Sequence, residues 1–183
     1  SSDLFLNMHV EGIIACLAQD TVDYSHFEQL HDMSIPLVFF ARCCLEDKFS
    51  QVVANGDVAA QEATQHMIET GSKRIAFIGG PNNLDMVRRR KHGYLEALRE
   101  NRITIDRHLV VCDKIDFEVA RNNTLRLLEG PNPPDAILAF NDIITYAAFD
   151  AIKAKGLRIP EDVAIIGFTD GDAAAFVTPR LTA

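Results

Sequence analysis

The feature that most constrains this chain is an alternation. Short apolar runs recur at Val10–Leu17, Leu37–Phe40, Gln51–Ala54, Arg74–Ile78, Leu109–Cys112, Ala136–Phe140 and Val163–Gly167. Runs this short, bounded by Gly, Pro and Asp, read as strands. Val10–Leu17 in particular reads as buried on both faces. Between the runs lie segments of helical period: 23–33, closed by Ile35-Pro36; 57–70, stopped by Gly71; 87–101; 117–129; and 143–155, stopped by Gly156. Ala120, Thr124, Leu127 and Leu128 stripe one helix, and Ile144, Ala147, Ala148, Ala151 and Ile152 stripe another. Strands of this kind separated by amphipathic helices fold as parallel sheets covered by helices, so the expected fold class is α/β. Gly130-Pro131-Asn132-Pro133-Pro134 is a fixed loop. One βα series ends and a second begins near residues 53–57.

Composition narrows the function. With 183 residues, 48% of them hydrophobic, a core needs no metal or disulfide staple. A net charge of -8 argues against this segment gripping a nucleic-acid backbone and gives no attraction to an anionic membrane surface. No apolar run reaches bilayer length and no leader is legible. Ser1 follows no Met and leads straight into a strand-like run, so the chain reads as a fragment. Cys16, Cys43, Cys44 and Cys112 form no CxxC, and adjacent Cys43 and Cys44 suit a disulfide poorly, which fits a reducing cytosol. His26 and His31 are too far out of helical phase to share a metal. No metal or cofactor is expected.

In open α/β sheets ligands bind at the carboxyl ends of the strands. In the second series those ends deliver Gly79-Gly80-Pro81, Asp113, Asn141-Asp142 and Thr169-Asp170. Such residues suit a polar small molecule rich in hydroxyl or amide groups. Taken singly, Asn141 is equally a helix cap and the aspartates are turn residues. The run Arg88-Arg89-Arg90-Lys91 sits near a helix start, where the macrodipole disfavours cations. It is either a solvated face or a set of side chains with separate partners, one of them aimed at the strand ends. No GxGxxG, Walker or GxSxG motif occurs, so the expectation is a binding domain and not an enzyme.

The segments "IPLVFFAR", "HMIETGSKRIAFIGGPNN", "RRRKHGYLEAL", "PDAILAFNDIITYAAFDAIKAKGLRIPEDVAIIGFTD" and "TPRLT" together resemble the LacI/GalR family of transcriptional repressors along almost the whole chain. Pro134 to Asp170 is the most specific stretch. The resemblance implies a periplasmic-binding-protein-like type I domain, with parallel sheets flanked by helices in two lobes and effector held between them. Residues 1–54 would be a partial N-terminal lobe, 55–170 the C-terminal lobe, and 171–183 a crossover back toward the first lobe.

The same resemblance implies a cytoplasmic homodimer that senses a sugar or related polar metabolite. It would meet operator DNA only through a helix-turn-helix headpiece absent from this chain. It also implies ligand-binding roles for Arg90, Asn141, Thr169 and Asp170. Two departures qualify it. Thr169 stands where the family usually places an aspartate, and a hydroxyl cannot accept a vicinal diol as a carboxylate does. Asn55 stands where an aspartate is common. Both weigh against a simple neutral sugar, and Asp170 or Asp172 would have to compensate. The competing readings are a periplasmic sugar-binding protein of a transport system, which shares the fold, and an α/β enzyme.

Overall fold

The computed structural model describes residues 10–18, 21–45, 47–168, 171 and 177–182. The chain divides into two compact units, residues 1–55 with 84–86, and residues 56–83 with 87–183.

The first unit holds β1 (Ile13–Ala15), α1 (Ser25–Asp32), β2 (Leu37–Phe40) and β3 (Ser50–Val52). The strands form a parallel sheet in the order β1-β2-β3. One face is closed by Leu17, Leu30, Leu37, Phe39, Cys44 and Phe49. Phe39 is the centre of that core, meeting Phe27 at 4.9 Å and Phe49 at 5.5 Å, both edge to face. The other face is open. Ile14 is 76% exposed and Val52 67% exposed, where the sequence predicts a first strand buried on both sides. β1 is also shorter than its apolar run, and nothing among the described residues covers the Ile14 face.

The second unit holds α2 (Gly56–Glu69), β4 (Ile75–Gly79), α3 (Asp85–Glu100) from Val87 onward, β5 (Val110–Cys112), α4 (Phe117–Leu128), β6 (Ala136–Ala139), α5 (Asp142–Ala154) and β7 (Ala164–Ile166). All strand pairs are parallel and the order is β5-β4-β6-β7. Every residue of β4 and β6 is buried. Their side chains alternate between faces. Ile75, Phe77, Ala136 and Leu138 meet Ala60 and Met67 of α2 and Tyr94 and Leu98 of α3. The opposite face is covered by α5, which packs on β6 and on α4. The expected α5 stripe is met in full, since Ile144, Ala147, Ala148, Ala151 and Ile152 are all fully buried.

Element ends follow local chemistry. Gly71 takes φ +106° and Gly156 takes φ +71°, left-handed stops open to glycine at little cost. The strand expected from Leu109 starts one residue later. Asp106 accepts the His108 amide at 3.0 Å and holds Arg107–Leu109 in a 3-10 turn.

The approach of α2 to α3 depends on one missing side chain. A Cβ at Gly93 would fall on the Asp57 carbonyl oxygen and within 2.9 Å of the Gln61 amide nitrogen. Ala is the better helix former by about 1 kcal/mol. Forced separation of packed helices costs about 1–3 kcal/mol and outweighs that gain. Gly93→Ala is therefore expected to lower stability, by about 1–2 kcal/mol in urea unfolding. Equal or greater stability would mean that the two helices are not in close contact.

Candidate functional site

Because the second sheet is wholly parallel, all four strands release their chains at one edge. β4 delivers Gly79-Gly80, β5 delivers Asp113, β6 delivers Phe140-Asn141-Asp142, and β7 delivers Gly167-Phe168. Thr169, Asp170 and Asp172 lie outside the described residues. Gly80 is there for space, since a Cβ would sit 2.7 Å from Ile115 and 3.3 Å from Val87. That is close packing of side chains, a sufficient reason for the glycine without a phosphate.

The four cations of Arg88 to Lys91 have separate destinations, as successive helical positions must. Arg88 donates to the Asn83 carbonyl at 2.9 Å, Arg89 lies 3.6 Å from the Asp57 carboxylate, and Lys91 donates to the Asn82 side chain. Arg90 reaches the strand-end edge, where its Nη1 donates to the Phe140 carbonyl. Its guanidinium carbon lies 4.0 Å from the Phe168 ring centroid and 4.9 Å from that of Phe140. Both rings attract a cation. The Nε–H is buried and finds no acceptor among the described residues. Burial pushes the Arg90 pKa down to about 10, so the group stays charged at neutral pH.

Asn141 caps α5. Its Oδ1 accepts the Ile144 amide at 3.1 Å, while its carbonyl takes the Thr145 amide at 2.8 Å and the Thr145 hydroxyl at 2.7 Å. The cap fixes the orientation of the carboxamide, leaving Nδ2 as the outward donor. Asp142 follows at the first helical position, and a Cβ on Gly171 would lie 2.7 Å from its Oδ2. Asp113 accepts the Lys114 amide at 2.8 Å and Asn123 Nδ2 at 3.2 Å. Those bonds, the Lys114 amide foremost, hold its carboxyl below the ordinary aspartate range.

Sequence reasoning missed the aromatic pair around Arg90. Phe140 was legible: it follows Leu138 by two residues, so it continues the face on which α3 packs. Phe168 gave no separate signal beyond its place at a strand end.

A hollow of about 800 Å3 flanks β5, lined among others by Arg74, Asp106, Arg107, His108 and Arg126. It runs along the strand and not only at its carboxyl end, and Arg74 already pairs with Asp106 at 3.1 Å. Among the described residues, no group of three or more His, Cys, Asp or Glu is placed to hold a metal ion, and no helix is long and apolar enough to cross a membrane.

Residues 64–183 match the family model described as the periplasmic binding protein-like domain. The chain belongs to this family. It is 35% identical over 175 residues to the probable HTH-type transcriptional repressor ExuR of Bacillus subtilis strain 168, covering 96% of this chain and 52% of that protein. The chain thus spans about half the length of the curated relatives it matches. A LacI-family regulatory protein from Chloroflexus aggregans superposes with a TM-score of 0.88 at 29% identity, over 98% of this chain and 64% of that one. The cellobiose complex of the transcriptional regulator CelR superposes with a TM-score of 0.86 at 30% identity, over 98% and 55%. The resemblance to LacI-type regulators seen in the sequence motifs is thereby borne out.

The double duty of Asn141 can be separated. Asn141→Ala should cost about 1 kcal/mol of stability through the lost cap, whereas Asn141→Asp keeps a capping acceptor and should stay within about 0.5 kcal/mol of the parent. Thermal and urea unfolding of both variants measures this. Equal stability of the alanine variant and the parent would mean that the cap contributes nothing.

Proposed function

We propose that this chain is the effector-sensing region of a LacI/GalR-type transcriptional repressor. In this reading residues 1–54 belong to the N-terminal lobe, 55–170 form the C-terminal lobe, and 171–183 lead back toward the first. A small polar, sugar-like effector is held at the carboxyl edge of the second sheet by Arg90 and Asn141, with Thr169 and Asp170 as further contacts. Effector acts by its differential affinity for two arrangements of the intact regulator. Operator DNA is met through a helix-turn-helix segment that is not part of this chain. The regulator works as a cytoplasmic homodimer, the natural match to a twofold operator. It catalyses no reaction.

The single observation that carries this reading is Arg90. It turns inward to a strand end, where it is partly desolvated and its Nε–H finds no acceptor among the described residues. A solvated surface charge gains nothing from that position. The kinship with ExuR and with a cellobiose-bound regulator supports the repressor role and a sugar-like ligand class.

The test is Arg90→Ala in the intact regulator, once a stabilising sugar or sugar derivative has been found by thermal shift. Effector affinity should fall by about tenfold to a hundredfold, the worth of a charge-assisted hydrogen bond. Operator affinity without effector should be unchanged, and stability should change by less than about 1 kcal/mol, because relief of desolvation offsets the lost contacts. An unaltered effector response in operator binding would remove Arg90 from the site.

A further inference from the structure

Among the described residues β5 is an edge strand, paired with β4 on one side only. Asp113 donates its amide to the Gly79 carbonyl at the end of β4, at 3.1 Å. Backbone groups alternate in direction along a strand, so those of Val111 also face β4, and those of Val110 and Cys112 face outward. The Arg107 carbonyl of the preceding turn takes the Val110 amide. The Val110 carbonyl and both backbone groups of Cys112 are left along the outer edge. Such an edge is a template for a further strand, and Val110–Cys112 contains neither a proline nor a charge to blunt it.

Two hollows flank that edge. One, of about 800 Å3, follows the strand from Leu109 to Asp113 and is bordered by Arg74, Arg107 and Arg126. The other, of about 450 Å3, lies on the α3 side, where Leu95, Ile105 and Val110 are joined by Lys91, Arg99 and Arg107. Successive side chains of an added strand point to opposite faces, so they would enter the two hollows in turn. The first hollow has three arginines to two aspartates. Asp106 is already engaged by Arg74 at 3.1 Å, and Asp113 by the Lys114 amide and Asn123. On the α3 side Glu96 pairs with Arg99, while Lys91 meets only the neutral Asn82 side chain. The edge is therefore locally basic in a chain of net charge -8.

We propose that the outer edge of β5 docks an acidic, extended segment of a partner protein. The segment adds to the sheet as a strand, exchanging hydrogen bonds with Cys112 and with the Val110 carbonyl. Its acidic side chains meet Arg107 and Arg126, and its aliphatic ones enter the hollow of Leu95 and Ile105. Backbone bonds supply affinity, and the charges select the partner. A second copy of this chain fits poorly, because two β5 edges meeting about a twofold axis would set Arg107 and Arg126 against their own equivalents. The surface is the lateral edge of the sheet, not the strand ends assigned above to effector.

Fluorescein-labelled peptides of about seven residues, a typical strand length, test the docking in this chain and in the intact regulator. The acidic probe alternates glutamate with valine. One control replaces glutamate by lysine, and the other carries N-methyl groups on the alternate amides that would bond to β5. Anisotropy should give the acidic probe a Kd tighter than about 0.1 mM, and both controls should bind at least about tenfold more weakly. The Cys112 amide should shift and become protected from exchange with solvent. Arg107→Glu combined with Arg126→Glu should lose the acidic probe and gain the lysine probe, a reversal that a misfolded variant does not show. Absence of binding to this chain would overturn the proposal, as would equal binding of acidic and lysine probes or of methylated and unmethylated ones. Binding to this chain but not to the intact regulator would give the edge to another part of the same polypeptide and overturn it too. So would displacement of the probe by dimers as protein concentration rises, which would give the edge to a second copy.

Discussion

The parallel pairing of β4 with β6, buried on both faces, governs the rest of the second unit. Nine strand residues in two central strands have no solvent-facing side, so none of them can be charged. Polar chemistry is thereby expelled to the strand ends. Parallel direction then gathers those ends at one edge. Helices α2 and α3 close one face and α4 and α5 the other, which places the start of α5 immediately beyond β6. Only Phe140 and Asn141 separate β6 from α5, so Asn141 is at once the exit of a strand and the cap of a helix.

Arg90 is best understood as a consequence of that geometry. It sits one turn into α3, on the side that packs over the sheet, and its length carries the guanidinium to the Phe140 carbonyl. The two rings beside it replace part of the lost hydration, but not the strongest part. The position is held at a cost in free energy, which on the function proposed above a bound ligand offsets. The first unit offers no comparable feature among its described residues. Its core is an aromatic cluster around Phe39, and its exposed sheet face is apolar.

Much of this was legible in the sequence, for reasons that can be stated. β4 and β6 were found because full burial leaves uninterrupted apolar runs. α5 was found because Ile144, Ala147, Ala148, Ala151 and Ile152 keep helical phase. The two glycine stops were found because only their backbone geometry ends a helix cheaply. Val10–Leu17 was misjudged: apolar composition alone cannot tell a strand covered on both faces from one covered on a single face, and Ile14 is exposed. Leu109 was assigned to a strand because its burial was visible and the Asp106 cap was not. At the site, helical phase says only that one of the four cations faces the strand ends; Arg90 is singled out by the family resemblance, and of the two rings that receive it only Phe140 has a signal in local spacing. Asn141 reads equally as a cap or a ligand contact, and the structure shows the cap, its Oδ1 accepting the Ile144 amide.

The central claim is that ligand recognition takes place at this strand-end edge, through Arg90 and Asn141. The most direct measurement is nuclear magnetic resonance mapping of a bound sugar or sugar derivative on the chain, following arginine Nε–H and asparagine side-chain amide signals with the backbone. The account predicts that the largest shifts fall on Arg90 Nε–H, the Asn141 amide, and the backbone at Gly80 and Phe140. Shifts gathered instead along the outer edge of β5, around Arg74, His108 and Arg126, with Arg90 and Asn141 undisturbed, would contradict it.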